Sequence, residues 1–272
     1  MSLLLLAVPS CYKICKMKLS VLQQDIIWEN KSQNLNNLER FILPLAGKTE
    51  IVVLPEMFNT GFTMNVNAHS EPPDGETFKW MSALSRTCKL AICGTYIVKE
   101  GQSVFNRWIF TGPDGEFHSY DKRHTFTMGE EDKYFTSGNS RMVFNYKGFR
   151  ISPYICYDLR FPVWSRNRND SDLMIYSANW PTARRDVWNI LLRARAIENQ
   201  CFVAGSNRIG TDGNGITYSG DSGIIGPKGE IITMSDPGLE QCITAEISMD
   251  ELNEFRKKFP VLNDADKFEL VP

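Results

Sequence analysis

The sequence has few histidines, and its cysteines form no pattern that indicates a metal site or a disulfide framework. The three histidines are scattered, and the seven cysteines include no Cys-x-x-Cys pair. An odd number of cysteines at irregular spacings is typical of reduced thiols in a cytosolic protein. We therefore predict a cytoplasmic protein with no metal centre.

The sequence also lacks an excess of charge of either sign and a hydrophobic run long enough to span a membrane. Its 30 Lys and Arg residues nearly balance 32 Asp and Glu residues, which gives a formal net charge of −2. The apolar run at residues 3–8 ends at Pro9, far short of the ~20 residues that cross a bilayer. We therefore expect no nucleic acid and no membrane as partner.

The first residues do not have the order of a secretory signal. The lysines at positions 13, 16 and 18 follow the apolar run, whereas in a signal peptide the positive charge precedes it. No linker, repeat or low-complexity stretch interrupts the rest of the chain. We expect residues 1–16 to be an extension that precedes the fold, and residues 17–272 to form a single domain.

Short β-rich runs alternate with helical patterns through this domain. Apolar residues recur at helical spacing over residues 31–45, 75–88, 187–199 and 249–259. Turn signals such as Gly-Pro-Asp-Gly at 112–115 lie between pairs of β-rich runs and predict three hairpins, at residues 105–120, 142–155 and 222–234. The pattern predicts an α/β protein with mixed sheets covered by helices.

Three residues with chemical potential each follow a predicted strand: Glu56, Lys122 and Cys156. A carboxylate at the end of an apolar strand suits a general base, a buried ammonium can stabilise a developing oxyanion, and a thiol at a strand end can act as nucleophile. Taken singly, each has an ordinary alternative: a loop glutamate, a solvated lysine and an inert buried cysteine.

Together, the three residues and their neighbours resemble the nitrilase, or carbon–nitrogen hydrolase, superfamily, which carries a Glu–Lys–Cys triad. The matching segments are Leu-Pro-Glu-Met-Phe at 54–58, Tyr-Asp-Lys-Arg-His-Thr-Phe at 120–126 and Cys-Tyr-Asp-Leu-Arg-Phe-Pro at 156–162. Ser-Ala-Asn-Trp-Pro at 177–181 and Arg-Ala-Ile-Glu-Asn-Gln at 195–200 support the match. The resemblance extends over nearly the whole chain.

The resemblance implies a four-layer α-β-β-α sandwich that forms a homodimer or a higher homo-oligomer, and a reaction without a cofactor. It implies that Glu56 is the general base, that Cys156 is the nucleophile, and that Lys122 and the backbone N–H of Tyr157 hold the oxyanion. Asn179 and Trp180 are implied as substrate-binding residues, although Trp180 has core packing as its alternative.

A second acidic residue lies between the Lys and Cys segments in this family. Glu130 and Glu131 are both candidates, and we prefer Glu131 from its distance to Tyr134 and Gly138. Its implied role is to orient Lys122 or the substrate amide.

Among the branches of the superfamily, the Cys segment resembles omega-amidases, which hydrolyse the side-chain amide of small linear 2-oxo acids such as 2-oxoglutaramate or 2-oxosuccinamate. Val163 departs from this pattern, since many members have an acidic residue after Phe-Pro. N-carbamoyl amino acid amidohydrolase and nitrilase activities with the same triad stay open. A non-catalytic scaffold or metabolite-binding protein is the alternative of another class.

Two further side chains have competing interpretations. His124 offers a Cys–His pair of the papain type, but no papain-like segment surrounds Cys156, and we expect His124 to hydrogen-bond within its loop. For Arg160 we expect a structural ion pair with Asp158 or another acid, and the carboxylate of a substrate is the alternative partner.

Overall fold

A computed structural model describes residues 15–270, which form fourteen strands, six α-helices and several short 3₁₀ turns. The strands are β1 (Lys16–Gln23), β2 (Ile51–Val53), β3 (Ala91–Glu100), β4 (Ser103–Thr111), β5 (Phe117–Asp121), β6 (Phe144–Tyr146), β7 (Phe149–Ile155), β8 (Leu173–Ala178), β9 (Phe202–Asn207), β10 (Ile209–Thr211), β11 (Thr217–Ser219), β12 (Gly223–Ile225), β13 (Ile231–Met234) and β14 (Gln241–Ser248). The α-helices are α1 (Lys31–Ile42), α2 (Val66–His69), α3 (Glu76–Cys88), α4 (Glu131–Tyr134), α5 (Arg185–Asn199) and α6 (Met249–Lys258).

The strands form two six-stranded mixed sheets. The first has the order β14-β1-β2-β3-β4-β5, and the second has the order β13-β12-β9-β8-β7-β6. Strands β1, β2 and β3 run parallel, as do β7, β8 and β9. The hairpins β4–β5, β6–β7 and β12–β13 are antiparallel, which confirms the three predicted hairpins.

Side chains of the first sheet alternate between two cores, as the pleat of a strand requires. Ile51 and Val53 of β2 face the second sheet, whereas Val52 between them packs with helices α1 and α3. On the second sheet, Trp188 and Leu192 of α5 pack closely over Gly205 of β9. The four-layer α-β-β-α sandwich is therefore confirmed.

The carboxyl ends of the parallel strands meet at one edge of the sandwich. Strands β2, β7 and β8 end at Val53, Ile155 and Ala178. The sheets are joined near this edge by the Ser177 hydroxyl, which donates a hydrogen bond of 2.8 Å to the carbonyl of Leu54. Because β5 is antiparallel to β4, and β4 to β3, β5 also ends on this edge.

The start of the fold differs slightly from the predicted boundary. Strand β1 begins at Lys16, and the carbonyl of Cys15 accepts a hydrogen bond from the N–H of Met249. Cys15 and Lys16 thus belong to the fold, because they continue the pairing of β1 with β14. The rest of the predicted extension, residues 1–14, lies outside the described residues.

Other differences are local. The predicted helix at 31–45 ends as α1 at Ile42 and continues as a short 3₁₀ turn that contains Pro44. The sequence did not indicate the small hairpin β10–β11. Between residues 15 and 270, no helix is both long and apolar enough to cross a membrane.

Candidate active site

Cys156 stands at the turn where β7 ends and a 3₁₀ helix, Cys156–Arg160, begins. Its φ of 41° is in the left-handed region, which non-glycine residues seldom adopt. The half-buried thiol donates a hydrogen bond to the carbonyl of Asn179, at an Sγ to O distance of 3.7 Å. The sharp turn therefore presents Cys156 at the sheet edge, beside the end of β8.

The buried carboxylate of Asp158 holds this turn against the segment that contains Lys122. It accepts hydrogen bonds from the Ile155 N–H at 3.0 Å and the Tyr120 hydroxyl at 2.8 Å. His124 donates its N–H to Asp158 at 3.0 Å, and its Nδ1 lies 2.7 Å from the same oxygen. His124 also stacks on Phe161. The expected hydrogen bond within its own loop was therefore wrong, because this imidazole is held by the turn that follows Cys156, and it is not hydrogen-bonded to Cys156 itself.

Glu56 is fully buried two residues after Leu54, where the chain leaves β2. One carboxylate oxygen accepts a hydrogen bond from Lys122 at 2.8 Å and another from Asn106 at 2.8 Å. The other oxygen accepts the N–H of Asn179 at 2.9 Å. Three donors, one on β4 and two directly after β5 and β8, fix the orientation of this carboxylate.

Lys122, which directly follows β5, is also buried and lies between two carboxylates. Its ammonium is 2.8 Å from Glu56 and 2.9 Å from Glu131. Burial lowers the pKa of Lys122, but the charges of Glu131 and Glu56 outweigh this effect and hold the pKa above its usual value. Lys122 is therefore charged throughout the physiological range.

Of the two acidic candidates, Glu131 contacts Lys122 and Glu130 does not. The buried Glu131 carboxylate also accepts the backbone N–H of Phe126 at 2.6 Å. Glu130 is exposed and pairs with Lys133 at 2.7 Å. Burial raises the pKa of Glu131, Lys122 lowers it, and the negative charge of Glu56 raises it, so the pKa lies above its usual value.

Asn106 of β4 is a site residue that sequence reasoning missed. Its side-chain amide donates to Glu56 at 2.8 Å and to Glu131 at 3.1 Å. Its carbonyl oxygen accepts the hydroxyl of Thr95 at 2.8 Å. The only signal in the sequence was a polar residue within a hairpin strand, which on its own indicates nothing about its partners.

The thiol of Cys156 is protonated at neutral pH. Burial raises its pKa well above the usual value, Glu56 raises it further, and Lys122 lowers it. The thiolate is the nucleophilic form. A base must therefore take the proton as the sulfur attacks.

A cavity of about 760 Å³ opens onto Glu56, Lys122 and Cys156. Tyr157, Asn179 and Trp180 also line it. The side-chain N–H₂ of Asn179 donates to the carbonyl of Glu56 at 2.6 Å, so this residue holds Glu56 as well as facing the cavity. Trp180 both lines the cavity and packs on Trp188, at a ring-centroid distance of 5.6 Å.

The expectation that Arg160 forms an ion pair was wrong. Asp158 is fully occupied by its other donors, and within the described part of the chain no carboxylate lies within ion-pair distance of Arg160. Arg160 instead lines the cavity and lies over the ring of Trp180, 5.0 Å from its centroid. The aromatic face holds the guanidinium without neutralising its charge.

Comparison with known proteins agrees with this geometry. The carbon-nitrogen hydrolase family model matches residues 18–257. Omega-amidase YafV of Escherichia coli K12 is 46% identical over 93% of this chain and 98% of its own length. The 2-oxoglutaramate amidase of Bacillus subtilis is 33% identical over 93% of this chain and 98% of its own.

A solved structure is similar in fold and in sequence. It is the crystal structure of a CN-hydrolase superfamily protein from Xanthomonas campestris, which carries an arsenic adduct in its active site. It superimposes with a TM-score of 0.92 at 40% identity and covers 94% of this chain and 99% of its own. The chain belongs to the carbon–nitrogen hydrolase family.

Proposed function

We propose that the protein hydrolyses the side-chain amide of a small linear 2-oxo acid, of the 2-oxoglutaramate or 2-oxosuccinamate type, to the carboxylate and ammonia. The observation that carries the proposal is the buried Glu56–Lys122–Glu131 cluster at a cavity that also contains Cys156. The names of the Escherichia coli and Bacillus subtilis relatives support this substrate class.

In the first half of the reaction, Cys156 is the nucleophile and Glu56 the general base. Glu56 takes the thiol proton as the sulfur attacks the amide carbon, and the carbonyl electrons move to oxygen. Lys122 and the N–H of Tyr157 stabilise this oxyanion; the first N–H groups of a helical turn have no acceptor within the turn. Glu56 then gives its proton to the departing nitrogen, ammonia leaves, and a thioester remains on Cys156.

In the second half, water replaces ammonia. Glu56 takes a proton from the water as its oxygen attacks the thioester carbon. The tetrahedral intermediate collapses, the C–S bond breaks, and Glu56 returns the proton to the sulfur. Glu131 positions Lys122 through both steps, and only side chains, the backbone N–H and water take part.

Arg160 supports recognition of an acid at the far end of the substrate. Its guanidinium lines the cavity and has no carboxylate partner among the described residues. Guanidinium groups bind carboxylates through paired hydrogen bonds. We therefore assign the substrate carboxylate to Arg160.

Ammonia release from 2-oxoglutaramate tests the proposal. We expect release by the wild-type protein and none by Cys156→Ala, with a thioester mass on Cys156 trapped during turnover. Cys88→Ala is a matched control, since this buried cysteine lies on α3 away from the cavity. Turnover of N-carbamoyl amino acids or nitriles with none of 2-oxoglutaramate would favour those alternatives, and absence of all turnover would favour a non-catalytic protein.

We also propose a homodimer, or a higher homo-oligomer, that acts in the cytoplasm. Ile190 and Ile197 lie seven positions apart on α5 and are 64% and 51% exposed, and Val163 beside the Cys156 turn is 54% exposed. Such an apolar patch suits association between copies. The cysteines of residues 15–270 are free thiols, which supports a reducing compartment. Light scattering should give the mass of two or more copies, and the double variant Ile190→Asp with Ile197→Asp should give a monomer.

A further inference from the structure

Arg184 is a second arginine at the cavity, and the catalytic steps do not use it. It follows Pro181 in the segment that leaves β8, and its guanidinium lies over the ring of Phe126, 5.5 Å from the centroid. Phe126 belongs to the segment that follows Lys122, and both residues line the cavity. The Arg184 side chain thus extends from one wall of the cavity to the other.

Trp180 links the two arginines: it contacts the backbone of Arg184 and the guanidinium of Arg160. The indole N–H of Trp180 donates to the carbonyl of Arg184 at 2.8 Å, and Arg160 lies over the indole ring. In the part of the chain that the structure describes, neither guanidinium pairs with a carboxylate. By contrast, the neighbouring Arg185 does not line the cavity and pairs with Asp221 at 2.8 Å.

The two other acidic residues that line the cavity are bound elsewhere. Glu29 accepts hydrogen bonds from Thr63 at 2.5 Å and Asn65 at 3.5 Å, and its carboxylate is 3.3 Å from His69. Asp212 accepts two backbone N–H groups of its own turn, together with the hydroxyl of Tyr218 at 2.8 Å. Neither is close enough to pair with Arg184, so this end of the cavity presents uncompensated donors.

We propose that Arg184 is a specificity-determining residue that selects 2-oxo acid amides over the corresponding 2-amino acid amides. This inference rests on the proposed function and on Arg160 as the partner of the substrate carboxylate. The oxygen of a 2-oxo group accepts hydrogen bonds from the guanidinium, which has only donors. An ammonium group at the same carbon also has only donors and carries a like charge, so it is repelled.

The test compares kcat/KM for 2-oxoglutaramate with kcat/KM for glutamine. In Arg184→Gln, we expect this ratio to fall about tenfold, mainly through a higher KM for 2-oxoglutaramate. Arg184→Lys keeps the charge and should retain most of the ratio. Arg185→Gln removes the same charge one residue away, can still donate to Asp221, and should leave the ratio unchanged. A ratio within twofold of wild type in Arg184→Gln would overturn the inference.

A binding measurement separates this inference from the proposed function. In Cys156→Ala protein, calorimetry should show tighter binding of 2-oxoglutarate than of glutamate, and Arg184→Gln should reduce that preference. If the wild-type enzyme does not hydrolyse 2-oxoglutaramate but this binding preference depends on Arg184, the proposed function fails and the inference holds. If the preference is absent, or does not depend on Arg184, the inference fails.

Discussion

At the scale of single residues, Glu56 affects Cys156 in two opposite ways. Its negative charge raises the pKa of the thiol and so disfavours the thiolate in the resting enzyme. The same carboxylate is the base proposed to remove the proton during attack. A single substitution should therefore separate the resting reactivity of the thiol from its catalytic reactivity.

Glu56→Gln should lower amide hydrolysis at least about 100-fold. At pH 8, alkylation of Cys156 by iodoacetamide should become faster, about threefold or more, because the thiol pKa falls once the carboxylate charge is removed. Mass spectrometry of the Cys156 peptide measures the alkylation rate. The exposed Glu130→Gln is the control and should change neither rate. Slower alkylation in Glu56→Gln would show that Glu56 already promotes the thiolate at rest.

Asn106 offers a second test at this scale. Its amide holds both Glu56 and Glu131 while making no proposed contact with substrate. Asn106→Ala should lower kcat about 10- to 100-fold with little change in KM, since two hydrogen bonds to charged groups are lost. Steady-state kinetics on 2-oxoglutaramate measures kcat and KM separately. Asn145→Ala, at an exposed position, serves as control and should change neither. A rise in KM at constant kcat would contradict a positioning role.

The site residues that were predicted from the sequence lie in short recognisable segments, whereas the residue that was missed does not. Glu56, Lys122 and Cys156 each lie in a recognisable segment at a strand end, so their proximity followed from the α/β pattern and the family resemblance. Asn106 has no such segment, because its partners are 50 and 25 positions away along the chain. The partner expected for Arg160 was wrong because aromatic stacking depends on packing that the sequence does not display.

At the scale of secondary-structure elements, turn signals predicted the hairpins well, since Gly and Pro restrict the backbone locally. Hairpin β10–β11 was missed because its strands have three residues each, too few to show a period-2 pattern. The predicted helix at 249–259 is α6, and it begins after Ser248, whose hydroxyl accepts the N–H of Glu251 at 3.3 Å as an N-cap serine does. Local chemistry thus determines where elements begin and end, and packing determines the shortest ones.

Helix α6 is docked to the second sheet by an ionic cluster that should make stability depend on pH. The carboxylate of Asp172 lies 2.6 Å from Arg256 of α6 and 2.7 Å from Arg150 of β7. Burial alone would raise the pKa of Asp172, but hydrogen bonds from Arg150 and Arg256 outweigh burial and hold the pKa below its usual value. The stabilisation is therefore present above about pH 4 and is lost as the pH falls through the lowered pKa.

Asp172→Asn should lower the free energy of unfolding by about 2 kcal/mol at pH 7, because it leaves two arginines without their carboxylate. Urea denaturation at pH 7 and at pH 3 measures the effect. The difference from wild type should shrink at pH 3, where the wild-type carboxylate is being protonated. The exposed ion pair of Glu254 with Lys258 provides the control, since Glu254→Gln should change stability little at either pH. If the variant and the wild type differed in free energy of unfolding by the same amount at pH 7 and at pH 3, the stabilisation would not depend on the charge of Asp172.

At the scale of the whole molecule, the site is assembled from both sheets. Glu56 and Lys122 come from the first sheet, whereas Cys156 and Asn179 come from the second. Asn179 joins them, since its N–H donates to Glu56 and its carbonyl accepts the thiol of Cys156. The catalytic geometry exists only while the two sheets are packed together.

Enzyme activity should therefore be lost in the same cooperative transition as the fold. In urea, at one protein concentration, the midpoint for loss of 2-oxoglutaramate hydrolysis should coincide with the midpoint from far-UV circular dichroism. The exposed Glu130→Gln is a suitable control and should move neither midpoint, because Glu130 pairs with Lys133 of its neighbouring short helix and does not line the cavity. Activity lost at clearly lower urea would show that the site opens before the sandwich unfolds.

The left-handed backbone at Cys156 sets thermal stability against activity. A φ of 41° is unfavourable for cysteine and readily adopted by glycine. Cys156→Gly should therefore give an inert protein that melts at a higher temperature than the enzyme. The side chain at position 156 therefore costs stability while it presents the sulfur atom to the cavity, and selection for thermal stability alone would favour glycine there.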